Sequence, residues 1–362
     1  MKFFGSMLLT LVIVAANASA ATAPQPTPRP IRWPWSRPTP TPAPAAKPMP
    51  TRKPTPTPIP RAIPAATPTI ALPVYNEEVS TRLQIFLDNH LFEPGKIDGR
   101  MGEFFRKALI AYKRANGLPL NGTIDESLLA QVPQAFINYT VPPEAGNFVG
   151  QVSSRPSEQA KLKALLYGSL LEFVAERFHS AEDFLRKLNP GVNLDQLKPG
   201  DTVLVPNVIP FEVEKLSEGF IPAKPEFAGR TLYVDTHENT LQVREKGRIV
   251  AHFPITPGST KLPAPIGTWK ILGIANLPWF RHDEGVLNYG IRTNDFYNLP
   301  PGPNNPVGIL WMGLNKPGIG IHGTNNPETI GRAGSHGCIR TANWDAARLK
   351  EMVTVGNVVE IY

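Results

Sequence analysis

The chain has 362 residues, with 37 Lys and Arg against 30 Asp and Glu for a formal net charge of +7, and it carries 41 Pro, 29 Gly and one Cys. That length accommodates two or three domains. A single Cys excludes an intramolecular disulfide framework, and no stretch reaches the roughly 18–20 apolar residues of a membrane span, which excludes a multi-pass membrane protein. The proline excess points to a low-complexity segment beside folded material.

Lys2, the apolar run from Met7 to Ala16 and the small residues Ala18-Ser19-Ala20 read as a secretory signal peptide over residues 1–20, removed after Ala20. The run is shorter than a spanning helix, which favours cleavage over an uncleaved anchor, so no stable membrane span is expected afterwards. The expected location is therefore exported, in the periplasm or cell wall, and export argues against a nucleic-acid partner. Residues 21–73 are mostly Pro, Thr, Ala and basic residues, with Arg29, Arg32, Arg37, Lys47, Arg52, Lys53 and Arg61 and no acid. With Lys2 these exceed the charge of the whole chain, so 74–362 is nearly neutral. Such a tract cannot bury a core, and a Pro-rich, basic, disordered linker is expected.

Residues 74–136 read as a small all-α unit. Leu83, Phe86, Leu87 and Leu91 recur at helical spacing; Gly95, Gly99 and Gly102 break the pattern; Ala108, Leu109 and Tyr112 resume it. Asn121-Gly122-Thr123-Ile124-Asp125 leads into a short third helix over 126–131. Leu83-Gln84, the Gly95…Ile97-Asp98-Gly99…Gly102 loop, Ala108…Tyr112 and Gly117-Leu118 resemble the peptidoglycan-binding helical repeat of wall enzymes, with Lys113 standing where that family usually has Gln. A second, α+β unit is expected over 160–208. Leu170, Phe173, Val174 and Phe178, then Phe184, Leu185 and Leu188, suggest two amphipathic helices, and Thr202–Asn207 a short strand. Ala175-Glu176-Arg177-Phe178, Leu188-Asn189-Pro190 and Pro199-Gly200-Asp201…Val205-Pro206 resemble a LysM module, which binds N-acetylglucosamine polymers. The opening strand of such a module is not visible before Leu170, and a degenerate copy packed on its neighbour is the competing reading.

From Gly229 the pattern changes to strands. Thr231–Asp235, Thr240–Arg244, Arg248–Phe253, Thr268–Ile271, Gly308–Met312 and Val358–Tyr362 lie between Gly, Pro and Asn turns, which suggests a mainly β sandwich or barrel over 229–362, with one helix at Trp344–Met352. The only thiol of the chain, Cys338, lies close in sequence to His322 and His336. A free thiol is only a few per cent ionised at neutral pH, and a neighbouring imidazole can take its proton. Gly337 permits a tight turn that aims backbone N–H groups at one point, where each such donor stabilises an oxyanion by about 3 kcal/mol. Arg340 offers a planar fork for a carboxylate. Acyl transfer through a thioester fits this set. A buried structural Cys fits less well with the run Ser335-His336-Gly337-Cys338, and zinc on His322, His336 and Cys338 would need a fourth ligand the spacing does not supply. No metal and no cofactor is therefore expected.

The motif His322-Gly323-Thr324 followed by Ser335-His336-Gly337-Cys338-Ile339-Arg340, with Pro265–Trp269 and Gly302–Gly308, strongly resembles the L,D-transpeptidase (YkuD-type) catalytic domain. The resemblance implies Cys338 as nucleophile and His322 as general base, oriented by the Gly323 carbonyl, with His336, Gly337, Ser335 and Arg340 as accessory, oxyanion or substrate residues. It further implies attack on the diaminopimelate–D-alanine bond of a tetrapeptide stem and transfer to an amine. A second stem gives a cross-link between third residues, a wall-attached lipoprotein a protein tether, and water an L,D-carboxypeptidase. The implied partner is peptidoglycan, both glycan strands and peptide stems. The alternative is a wall-binding protein with hydrolytic activity or none. Residues 276–307, aromatic and without periodicity, are expected to form a lid over the donor stem.

Overall fold

The computed structural model describes residues 72–332, 334 and 336–362. The expected signal peptide, nearly all of the expected basic linker, and Ser335 lie outside the described residues. The linker does not extend to residue 73 as expected: Leu72 is buried, and Pro73 packs so closely on Gly122 that a Cβ there would overlap its ring.

Three helices build the first unit: α1 (Glu77–Asn89), α2 (Glu103–Ala115) and α3 (Asp125–Leu129). The Asn76 side chain caps α1 by accepting the Val79 N–H, and Glu77 and Glu78 sit in its first turn, where the helix dipole favours acids. Gln84 is buried and shapes the loop between α1 and α2. Its amide donates to the Asp98 carboxylate at 2.9 Å and the Arg100 carbonyl at 3.2 Å, and its carbonyl accepts the Gly99 N–H at 2.9 Å. Gly99 takes φ +71°, which favours glycine there.

Lys113, the departure from the family pattern, is fully buried and paired. Its ammonium lies 2.6 Å from Asp125 and donates to the Asn121 carbonyl at 2.8 Å. Burial pushes the Asp125 carboxyl up to about 6. Lys113→Met strands that carboxylate, and a loss of about 3 kcal/mol at pH 7 is expected in urea unfolding. The deficit narrows at pH 5, where Asp125 takes up a proton. A loss below about 1 kcal/mol at pH 7 would contradict the pairing.

The second unit joins β1 (Phe136–Thr140) to β2 (Thr202–Pro206) as an antiparallel pair from Phe136↔Pro206 to Thr140↔Thr202. Between them lie α4 (Pro156–Gln159), α5 (Leu170–Arg177) and α6 (Glu182–Leu188). Strand β1 thus lies upstream of residue 160, where the second unit was expected to begin. Ser169 caps α5 by accepting the Glu172 N–H, and Asn189 pins α6 to Leu204 through paired hydrogen bonds of 2.7 and 2.9 Å.

The remainder is mainly β. Its strands are β3 (Gly219–Phe220), β4 (Arg230–Asp235), β5 (Thr240–Glu245), β6 (Arg248–Pro254), β7 (Thr256–Pro257), β8 (Gly267–Asn276), β9 (Phe280–His282), β10 (Tyr297–Leu299), β11 (Leu310–Leu314), β12 (Gly320–His322), β13 (Ile339–Arg340) and β14 (Val358–Ile361). Among the described residues, ten of them form one sheet in the order β6-β5-β4-β14-β8-β11-β12-β13-β7, with β3 added on β8. The long β8 pairs with β14 through residues 267–270 and with β11 through 271–276, which lets the sheet curl into a barrel-like form. Positive φ at Lys246 and Gly247 makes the tight two-residue turn between β5 and β6 that strand twist favours. Helix α7 (Glu284–Tyr289) lies between β9 and β10, and α8 (Asn343–Leu349) precedes β14.

One hydrophobic cluster runs from Leu72 through Phe105, Phe173 and Val205 to Ile361, so the three units share a core. The segment after α1 extends the β6 edge: His252 N–H donates to the Leu91 carbonyl at 2.9 Å, and Glu93 N–H to the His252 carbonyl at 2.8 Å. This covers an edge that would otherwise expose unpaired backbone groups. Among the described residues no helix is long and apolar enough to cross a membrane.

Candidate active site

Two short strands place the chemistry. Strands β12 and β13 run parallel with Ile321 opposite Ile339 and His322 opposite Arg340. Both isoleucines are fully buried beneath the sheet. The two-residue period of a strand puts His322, Arg340 and, two residues earlier, Cys338 on the other face. The ladder therefore brings His322 beside Arg340, 18 residues apart in sequence.

His322 is fixed from two sides. Its Nδ1 lies 2.6 Å from the Gly323 carbonyl. A carbonyl only accepts, so Nδ1 carries the proton and Nε2 is the basic nitrogen. The Trp311 ring, from β11, stacks on the imidazole at 5.5 Å with planes 19° apart. Gly320 makes room for that indole, since a Cβ there would meet the ring. Behind Gly323 lies Asn343, fully buried, whose Oδ1 accepts the Ile309 N–H at 3.2 Å and whose Nδ2 donates to the Pro303 carbonyl at 3.1 Å. A Cβ at either Gly308 or Gly323 would collide with it.

Cys338 is half-buried at the start of β13. Its sulfur lies 3.5 Å from the Gly318 carbonyl. Gly337, with φ +96°, turns the chain into it, against Ile319 and the 258–264 loop. The Cys338 carbonyl accepts the Gly258 N–H at 3.1 Å.

The electrostatics of the pair are clear in direction. Burial pushes the Cys338 thiol up to about 11, against the Gly320 N–H and the Arg340 charge, which pull it down. Burial pushes His322 down to about 4; the Gly323 carbonyl resists this and Arg340 adds to it. At neutral pH the resting pair is therefore thiol and neutral imidazole. His336 is exposed, its proton affinity lowered by partial burial and then by the charges of Arg340 and His282. It stands at the rim of the site, facing the β9 side.

The segment 276–307 is more ordered than its aperiodic sequence suggests. Strands β9 and β10 pair antiparallel over three residues, His282 opposite Tyr297. Asp283, almost fully buried, accepts N–H bonds from Gly285, Val286 and Thr293 and the Thr293 hydroxyl at 2.8 Å. These bonds hold its carboxyl down near 2 against the upward push of burial. Arg281 stacks its guanidinium over Phe296 at 3.3 Å.

Sequence reasoning missed Trp311 and Asn343. Each sits inside a regular element, where an aromatic or an amide reads as packing. Only the register that puts Trp311 opposite His322 reveals its place. Among the described residues, no group of three or more His, Cys, Asp or Glu side chains is disposed to hold a metal.

Residues 229–361 match the family model described as "L,D-transpeptidase catalytic domain" (YkuD), and residues 76–132 the model described as "Putative peptidoglycan binding domain". The chain is 29% identical over 194 residues to "Putative L,D-transpeptidase YkuD" of Bacillus licheniformis, covering 54% of this chain and 94% of that one. It is 28% identical over 232 residues to "Probable L,D-transpeptidase ErfK/SrfK" of Salmonella typhimurium, covering 62% and 68%. Among solved structures, an "L,D-transpeptidase from Mycobacterium smegmatis" aligns with a TM-score of 0.31 and 22% identity over 37% of this chain and 58% of that one.

Proposed function

We propose that this chain, whose residues 229–361 are an L,D-transpeptidase catalytic domain and whose residues 76–132 are a peptidoglycan-binding domain, is an exported enzyme that remodels peptide stems of peptidoglycan through a Cys338 thioester. The observation that supports the reading is the parallel pairing of β12 and β13, with His322 opposite Arg340 and Cys338 two residues before Arg340 in sequence.

The steps follow from the geometry. The stem carboxylate pairs with the Arg340 fork. The Cys338 thiol attacks the diaminopimelate carbonyl while its proton passes to Nε2 of His322. Because Nδ1–H is held by the Gly323 carbonyl at 2.6 Å, the ring is already the right tautomer. The backbone N–H groups of the Gly337–Cys338 turn are the donors for the tetrahedral oxyanion. The C–N bond breaks, D-alanine leaves with the proton from His322, and the thioester remains. An acceptor amine then attacks the thioester, His322 takes its proton, and the sulfur leaves and is reprotonated. The α-helical unit and the 136–206 unit hold the enzyme on the wall, the second with the LysM-like chemistry its helices resemble.

A neutral resting pair fixes the pH behaviour. The competent form needs His322 unprotonated, and this is lost only as pH falls through about 4. Deprotonation of the thiol begins only toward about 11. With a soluble tetrapeptide donor, kcat/KM is expected to be flat between pH 6 and 8, with its acid limb near 4. An acid limb near the ordinary imidazole value of about 6.5 would contradict a neutral pair.

The functional test incubates the purified chain with a disaccharide-tetrapeptide and follows muropeptides by mass spectrometry. A dimer lacking one D-alanine is the expected product. D-alanine release without a dimer, even with an excess of acceptor stem, would reassign the enzyme as an L,D-carboxypeptidase. No turnover by the folded chain would leave wall binding as its role.

A further inference from the structure

The chain between His322 and Cys338 passes through residues 327–331. This stretch is gripped from both sides. On the sheet side, Thr256 accepts the Gly331 N–H at 2.7 Å and donates to the Thr329 carbonyl at 3.3 Å. On the other side the grip comes from the α-helical unit. Lys96, in the α1–α2 loop, forms an ion pair with Glu328. The ring of Phe104, in the first turn of α2, lies on Gly331, where φ is +71° and any Cβ would overlap the ring. Gly331 thus meets two requirements for glycine at once, one from its backbone and one from a neighbouring unit.

The grip is anchored. Lys96 follows Gly95, whose Cα faces the Phe104 Cβ, and the same loop is pinned through Gln84. Lys107, one turn beyond Phe104, reaches Glu238 in the β4–β5 turn at 3.0 Å. With the backbone bonds of Leu91 and Glu93 to His252, this ties the helical unit to the catalytic sheet. The catalytic loop is thereby clamped between two parts of one rigid frame.

We propose that Phe104 and Lys96 of the α-helical unit are positioning residues for the transfer reaction: they hold residues 327–331, on the connection between His322 and Cys338, and so support the placement of both. The proposal rests on the thioester reading of the site. It makes the helical unit part of the catalytic apparatus, beyond any hold it has on the wall. Misplacement of a catalytic group by about 1 Å costs about 100-fold in rate, so the effect appears in kcat and not in donor binding.

The test uses the full chain with a soluble tetrapeptide donor, so that wall affinity does not enter. Phe104→Ala is expected to lower kcat about 10- to 100-fold with KM within about threefold, and Phe104→Leu to recover most of the rate. Lys96→Met, at the partly exposed ion pair, is expected to give a smaller loss in kcat and to keep the fold if Phe104→Ala does not. Hydrogen exchange should rise within 323–338 in both variants. Iodoacetamide labelling of Cys338 gives a readout independent of the transfer reaction: its rate should change in Phe104→Ala and return in Phe104→Leu. If labelling and exchange change while no variant turns over donor, the clamp stands and the thioester reading fails. Folded Phe104→Ala and Lys96→Met proteins with wild-type kcat, exchange and labelling would overturn the proposal.

Discussion

Cys338→Ala is expected to lower turnover of a tetrapeptide donor by at least about 10⁴-fold, as loss of a nucleophile does elsewhere. Binding to isolated sacculi should stay at the wild-type level, because no residue of the helical unit depends on the thiol. The fold should survive as well: the side chain is half-buried, with its sulfur 3.5 Å from the Gly318 carbonyl. His322→Ala should cost about 10²- to 10⁴-fold, the range for a general base, and it should not add fully to Cys338→Ala, because the two act as a unit. Residual transfer in Cys338→Ala within tenfold of wild type would remove the cysteine from the mechanism.

The second large effect concerns stability. Arg348, on α8, joins the three units. Its guanidinium lies 2.9 Å from the Asp88 carboxylate, 2.7 Å from the Asp88 carbonyl, 2.6 Å from Glu93 and 3.2 Å from the Ile209 carbonyl. Asp88 also binds His179 Nδ1 at 2.8 Å, and the His179 ring stacks on Trp344. Asp88, Glu93 and Asp345 are fully buried. Three carboxylates cannot all be charged around one arginine. Arg348 and His179 hold Asp88 down near 2 against burial. Burial pushes Asp345 up to about 8, so it carries a proton at neutral pH, and raises Glu93 well above its usual range.

Arg348→Met leaves the Asp88 charge buried without its cation. A loss of about 3–5 kcal/mol at pH 7 is expected. The sign with pH follows from linkage. In the wild type the depressed Asp88 pKa contributes stability above about 4 that is lost as pH falls through about 2. In the variant the Asp88 pKa rises, and the buried acid is relieved by protonation as pH falls, so the gap between the two proteins narrows from pH 7 to pH 4. Urea unfolding at the two pH values measures this. A variant within about 1 kcal/mol of wild type at pH 7 would contradict the role given to Arg348.

The family resemblance was legible in the sequence because it is written in short runs. His322-Gly323-Thr324 and Ser335–Arg340 carry the resemblance, and alternation marks most of the long strands within one or two residues. The fold class, helical and α+β units before a mainly β domain, followed from the same periodicities. What stayed hidden depends on distance or on brevity. Strand β1 was invisible because its partner lies more than 60 residues away and the intervening turns carry no strand pattern. The β9–β10 hairpin is only three residues deep, below any periodic window, and its order comes from the single buried carboxylate of Asp283. The union of three units into one core rests on contacts such as Arg348 with Asp88, 260 residues apart, which no local pattern announces. Lys113 looked like a lapse from the family pattern; its partner Asp125 explains it.

The proton transfer from Cys338 to a neighbouring imidazole, which the sequence suggested, is where structure adds most to the chemistry. Sequence places a base beside a thiol; only burial tells which way each proton affinity moves. Both move away from ion-pair formation, and the proton transfer therefore belongs to the step of attack.

The most direct measurement is intact mass of the full chain mixed rapidly with a tetrapeptide donor, followed by peptide mapping of the trapped species. The account predicts a covalent adduct equal to the stem minus D-alanine, on the peptide containing Cys338 and cleaved by hydroxylamine as a thioester is. An adduct on any other residue, or steady turnover with no adduct under conditions that trap thioesters, would contradict it.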